Sequence, residues 1–166
     1  MKRISNIAAI VALLLVGVWI YRILFPSDEK LIRQLLAEAA QTAAVKPNEN
    51  PLFKIASANK LVGFFSADAV LKLEVAGVDT RTLDTPEDLR QAVTAARASL
   101  QEAKFQLREV QVGMGSDSQS ATAQLVAIAY LNGSGDPLVQ ELKIQLKKID
   151  HRWKISRVET VKTLGM

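Results

Sequence analysis

Side chains able to do chemistry are sparse in this 166-residue chain, which has no cysteine and a single histidine, His151. With so few soft or nitrogen ligands and no close carboxylate cluster, neither a metal centre nor a cofactor is expected. His151 sits in Asp150-His151-Arg152, a tight corner between two alternating segments, where exposure is the expectation rather than catalysis. Asp68 is the acid best placed for chemistry. As a general acid it needs an apolar pocket that raises its pKa and a partner within reach. In a structural role it would only accept backbone hydrogen bonds where a strand begins. Tyr130 is flanked by apolar residues on both phases, Val126 and Ile128 against Leu125, Ala127, Ala129 and Leu131, so its facing stays open. Glu74 and Glu109 are expected on wet strand faces. Phe53, Phe64, Phe65 and Trp153 are expected in the core rather than around a ligand. Gly113-Met114-Gly115 lacks the strand-to-helix setting of a phosphate-binding loop. A ligand pocket would draw on Phe65, Asp68, Tyr130 and Trp153, and no residue is assigned a catalytic role.

The segment that decides where these residues work is Ile4 to Tyr21, an uncharged and largely apolar run with Lys2-Arg3 in front and Arg22 behind. A bilayer-spanning helix needs about 20 predominantly apolar residues, a length reached by adding Ile23, Leu24 and Phe25 beyond a snorkelling Arg22. A cleavable secretory signal should instead end in a small-x-small site soon after its apolar core. Tyr21-Arg22-Ile23-Leu24-Phe25-Pro26 is bulky throughout, and the first such site, Ala37-Glu38-Ala39, falls inside a predicted helix. Residues 1–26 are therefore read as an uncleaved transmembrane anchor, with no polar face that would suit a buried helix of a soluble domain. Basic residues flank both sides, so the positive-inside rule does not orient the chain. The export-like layout of Lys2-Arg3 places the N terminus in the cytoplasm and the domain from Ser27 onward outside it, in the periplasm if the cell is bacterial.

Charge supports no nucleic-acid partner. The chain carries 21 basic and 17 acidic residues, and setting aside Lys2, Arg3 and Arg22 at the membrane flanks leaves 18 basic against 17 acidic. The densest basic cluster, Lys147-Lys148 with Arg152, Lys154 and Arg157, is broken by Asp150 and alternates along a predicted hairpin. It reads as a solvated sheet face, since a nucleic-acid binder should show a basic stripe with aromatics or a known module.

Residues 27–166 are enough for one domain with its own core. Ser27 caps a first helix with Asp28 and Glu29 in its first turn, and Ile32, Leu35, Leu36, Ala39, Ala40 and Ala43 share one face. Lys46 to Asn50 is a loop by its turn residues. Asn50-Pro51 opens a second helix with Leu52, Ile55, Ala56 and Val62 as its buried positions and Gly63 as its stop. Residues 69–75 alternate as a strand, followed by a turn region at Gly77 and Asp79. Thr85-Pro86-Glu87-Asp88 starts a third helix, with Leu89, Ala92, Val93, Ala96 and Leu100 as its apolar stripe. From Lys104 the period is two, giving strands over Phe105 to Met114, Ser120 to Leu131, Val139 to Asp150 and Trp153 to Thr163. The apolar phase slips between Leu107 and Val110, the mark of a β-bulge. Three helices and a long antiparallel meander predict an α+β domain with the helices packed on one face of a curved, mostly antiparallel sheet.

This order of elements resembles the NTF2-like (SnoaL-like) superfamily, which has a cystatin-like α+β cone. Phe64-Phe65-Ser66-Ala67-Asp68-Ala69-Val70-Leu71 resembles its helix-to-strand transition, Thr85-Pro86-Glu87-Asp88-Leu89 its third-helix start, and Trp153-Lys154-Ile155-Ser156-Arg157-Val158-Glu159 its final strand. The resemblance implies a sheet bent around an apolar interior. It also implies either a binding or scaffolding role or, in some members, isomerase, dehydratase or hydrolase chemistry on small molecules. None of the catalytic residues of such members carries over. An anchor joined to such a domain is similar in architecture to the inner-membrane assembly proteins of type IV secretion. The expected function is a membrane-anchored, non-enzymatic interaction or assembly module. Its expected partners are the membrane, another membrane protein, or a second copy through the sheet face. A pocket for a small apolar ligand, or a weak SnoaL-like enzyme, is the alternative.

Overall fold

The computed structural model describes residues 27–73, 81–133 and 135–161, together with Leu14 and Val16. Apart from those two, the apolar run read as an anchor lies outside the described residues, as do Glu74, the turn region at Gly77 and Asp79, and the end of the last predicted strand. Among the described residues no helix is long and apolar enough to cross a membrane.

Three helices form where their caps place them: α1 (Asp28–Ala43), α2 (Pro51–Val62) and α3 (Pro86–Ser99). The side chains of Ser27, Asn50 and Thr85 accept from the backbone N–H of Lys30, Leu52 and Asp88, satisfying donors that no helical carbonyl can reach. The strands are β1 (Phe65–Leu73), β2 (Arg81–Leu83), β3 (Ala103–Met114), β4 (Ser120–Leu131), β5 (Leu138–Ile149) and β6 (Arg152–Thr160). They form one sheet in the order β2-β1-β6-β5-β4-β3, in which β1 runs parallel to β6 and every other pair is antiparallel.

Three irregularities bend the sheet. In β3 the register shifts between Arg108 and Gln111 around Glu109, whose φ is 53°, so the bulge falls within the expected phase slip. The Arg33 side chain of α1, itself gripped by Glu29, donates to the Val110 carbonyl there at 2.6 Å. The β5–β6 ladder shifts at Gln145/Leu146, where the Ser156 hydroxyl donates to the Gln145 carbonyl. In β1 the register jumps between Phe65 and Val70, so the strand begins earlier than its alternation suggests and carries Asp68 in the irregular stretch. Asp150 and His151 both have positive φ (48° and 62°), which closes the β5–β6 corner in the two-residue form that matches strand twist.

The helices cover one face of the sheet. The core between them is Ile32 and Leu36 of α1, Leu89 of α3, and the inward rows Ala69, Leu71, Ala121, Ala123, Leu125, Ile144, Leu146, Ile155 and Val158. α1 lies against the sheet chiefly over β3, and Ile32 of α1 and Ala123 of β4 are both 0% exposed. Two expectations about helix faces fail. On α2, Leu52, Ile55 and Ala56 are exposed, as is Phe53, and it is Ala58 that is buried. On α3, Ala96 is exposed and Arg97 occupies the buried stripe instead. The two helices pack chiefly against each other, and α2 also packs on α1, so their inward faces are set more by helix contacts than by the sheet.

Candidate functional site

The four pocket residues expected from sequence occupy separate environments. Trp153, at the start of β6, is 4% exposed, and its indole N–H donates to Asp28 Oδ1 at 3.0 Å. Phe65 packs against the core and lines a cavity of about 270 Å³ with Ser66, Ala67, Thr85 and Lys154. Asp68 lies on the opposite, solvent side of the sheet, where Lys147 binds both its carboxylate oxygens at 2.6 and 2.5 Å. The hydrogen bond from Lys147 holds the Asp68 carboxyl below its ordinary range, the opposite of what a general acid at neutral pH needs. Tyr130 pairs across strands with Lys104 and shares the solvent face with Ile128 and Gln106. His151 is exposed at the hairpin corner, and Glu109 is exposed at the bulge. By whole-residue exposure the buried polar residues among those described are Ser66 and Arg97.

The basic cluster on β5 and β6 resolves into local partners. Lys147 pairs with Asp68, Lys148 with Asp28 and Arg157 with Glu159, while Lys154 donates to the Gly63 carbonyl. Arg152 makes no ion pair among the described residues.

Asp28 joins two elements that the sequence does not connect. It sits in the first turn of α1 and takes hydrogen bonds from Lys148 at 2.7 Å and Trp153 at 3.0 Å, 120 and 125 residues away. Lys148 also lies 5.5 Å from the centre of the indole ring. Sequence reading took Asp28 as a helix-dipole acid and Trp153 as core, and nothing local marks their meeting. The Lys148 hydrogen bond first, then that of Trp153, lowers the Asp28 pKa. A lowered carboxylate pKa contributes stability that is present above the unfolded value, about 3.9, and is lost as pH falls through the folded value. In a Trp19→Phe chain, Trp153 emission should therefore hold steady down to pH 4 and change only below it. Asp28→Asn should abolish that acid step and cost about 1–2 kcal/mol at pH 7, a charged hydrogen-bond pair discounted for partial exposure. A transition in Trp153 emission above pH 4.5 would show that the pair does not hold in solution.

Above this junction runs a groove of about 610 Å³ between α1, the end of α2 and the start of β6. Leu31, Leu35, Phe64 and Trp153 supply apolar wall, and Glu38, Lys60, Arg152 and Lys154 supply charge. At the other end of the helices is a buried ion pair. Arg97 donates to Glu49 Oε2 at 2.9 Å and to the Thr42 carbonyl at 2.8 Å, with both side chains under 7% exposed. Sequence reading missed it, although an arginine eight residues after Leu89 on the same helical face was its visible trace.

Three helices on one face of a bent six-stranded sheet, with β1 parallel to β6, make this an NTF2-like, cystatin-like fold. An NTF2-like protein with a cystatin-like fold from Novosphingobium aromaticivorans is similar at 18% identity and TM-score 0.63, over 98% of this chain and 91% of that chain. A putative scytalone dehydratase from the same organism is similar at 11% identity and TM-score 0.63, over 81% of this chain and 85% of that chain. An NTF2-like protein of unknown function from Pseudomonas putida is similar at 10% identity and TM-score 0.63, over 84% and 91%. No family model matches the sequence, and no curated protein matches it. At such identities the likeness extends to the fold and not to the chemistry.

Proposed function

We propose that this chain is a membrane-anchored, non-enzymatic assembly module, tethered by residues 1–26 with its NTF2-like domain outside the cytoplasm. The observation that carries the reading is the distribution of side chains across the sheet. Groups that would do chemistry in a cone, Asp68 and Tyr130, lie on the solvent side, and apolar residues lie there with them. Val126, Ile128 and Tyr130 of β4 align with Val139 of β5, which is 60% exposed, to form an apolar strip beside Lys104 and Glu141. Such a strip rimmed by polar residues marks an interaction surface. Exposed Leu52, Phe53 and Ile55 on α2, at 76, 59 and 55%, add a second one. Leu14 and Val16 are helical with exposed side chains, as lipid-facing residues should be. Tethering raises effective concentration in the plane of the membrane, so a modest interface suffices.

Native mass spectrometry of the full chain in mild detergent tests this. A homodimer or a stoichiometric protein partner is expected, with Ile128→Lys/Val139→Lys shifting the homodimer to monomer while leaving the thermal midpoint nearly unchanged. A monomer carrying a retained small molecule would overturn the assembly reading in favour of the pocket reading. A mass lacking Met1 to about Pro26 would overturn the anchor.

A further inference from the structure

The groove beside Trp153 has a chemistry the assembly role does not use. One wall is aliphatic and aromatic, from Leu31, Leu35, Phe64 and Trp153. At its β6 end Arg152 is exposed and without an ion pair among the described residues, and Lys154 beside it uses one of three ammonium donors on the Gly63 carbonyl. Lys60 and Glu38 neutralise each other across the far rim at 2.7 Å. The net preference is for an anion at one end and hydrocarbon along the floor.

Chain geometry says what brings such a molecule there. Ser27 caps α1 directly after the apolar run, and at 1.5 Å rise per residue Leu31 lies about 6 Å and Leu35 about 12 Å along the helix from it. Asp28 holds Trp153 at 3.0 Å, so the start of β6 is fixed to the same end of the domain. A span that ends at Phe25 therefore leaves the groove within reach of the headgroup layer, whatever the angle of α1 to the bilayer. Guanidinium pairs well with phosphate, and anionic lipid concentrates cations at the surface.

We propose that this groove holds an acidic phospholipid of the host bilayer, its phosphate on Arg152 and Lys154 and its proximal acyl chain along Leu31, Leu35, Phe64 and Trp153. The proposal rests on the anchored reading and deepens it: the domain is docked against the membrane by lipid as well as tethered to it.

The test uses the full Trp19→Phe chain in phosphatidylcholine nanodiscs with an increasing fraction of phosphatidylglycerol, at 150 mM salt, read by Trp153 emission. A saturable change is expected as phosphatidylglycerol rises. Arg152→Gln should require at least fivefold more of it for half-saturation, and Arg152→Lys should stay within twofold of the parent. Three results would each overturn the proposal: no response to phosphatidylglycerol, an equal response in Arg152→Gln, or the same response to free glycerol phosphate in pure phosphatidylcholine discs. Arg152 is exposed, so its variants should keep the parent's thermal midpoint. Failure of the anchored reading shows separately, as a chain that does not incorporate into discs.

Discussion

Arg97→Ala should lower the stability of the domain by about 3–5 kcal/mol, a large part of the total margin for a chain of this size. The guanidinium is 4% exposed and the Glu49 side chain 6%, so neither charge is solvated by water in the folded state. Arg97 also donates to the carbonyls of Thr42 and Ala43, the last two residues of α1, where a cation meets the negative end of the helix dipole. Truncation leaves a buried carboxylate and exposed helical carbonyls without partners. Yet the pair is not ideal, because Arg97 Nε is buried without an acceptor. Breaking a buried pair is costly, whereas replacing both members by apolar residues of similar volume is near neutral. Arg97→Met/Glu49→Leu should therefore recover most of what Arg97→Ala loses, measured by urea denaturation of the same full chain. A loss below about 1 kcal/mol for Arg97→Ala would mean that water reaches the pair.

What could be read in the sequence follows the range of the physics. Caps act within a turn, and Ser27, Asn50 and Thr85 all make the bonds their positions suggest. Period-two patterning survives in the meander because one face of each strand meets the core, so Leu142, Ile144 and Leu146 turn inward against Lys143, Gln145 and Lys147. The phase slip at Glu109 was visible because a bulge changes the alternation itself. Contacts over long separations leave no such trace. The parallel pairing of Phe65 with Ile155 and the Asp28–Trp153 bond each join distant segments whose local residues suit other roles equally well. The face of α2 was misread for a related reason. Leu52 and Ile55 look buried in any helical projection, but the helix is held by α1 and α3 through Ala58 and its polar side, including Lys54 and Lys60. Amphipathic periodicity shows that a helix has an apolar face, and tertiary contacts decide whether that face is covered.

Ile32→Ala should be the second most damaging change, and it also separates the two functional readings. Ile32 is 0% exposed and packs from α1 into the alanine-lined inner face of the sheet. Losing its side chain removes buried apolar area and leaves a cavity that the surrounding rows fill only in part, costing about 2–5 kcal/mol. Such a cavity is dry and apolar, and small apolar molecules bind in spaces of this kind. Benzene at ten times its dissociation constant would return about 1.4 kcal/mol to the variant, a rise of roughly 4 °C in thermal midpoint. The parent chain should show no rise, because Ile32, Leu36, Leu125 and Leu146 already occupy that space at 3% exposure or less. If benzene stabilises the parent as much as the variant, the cone has room for a ligand and the small-molecule pocket becomes the better account. If it stabilises only the variant, this chain has filled with aliphatic side chains the space that a pocket protein of the same fold would keep open, and its interactions belong to its surfaces.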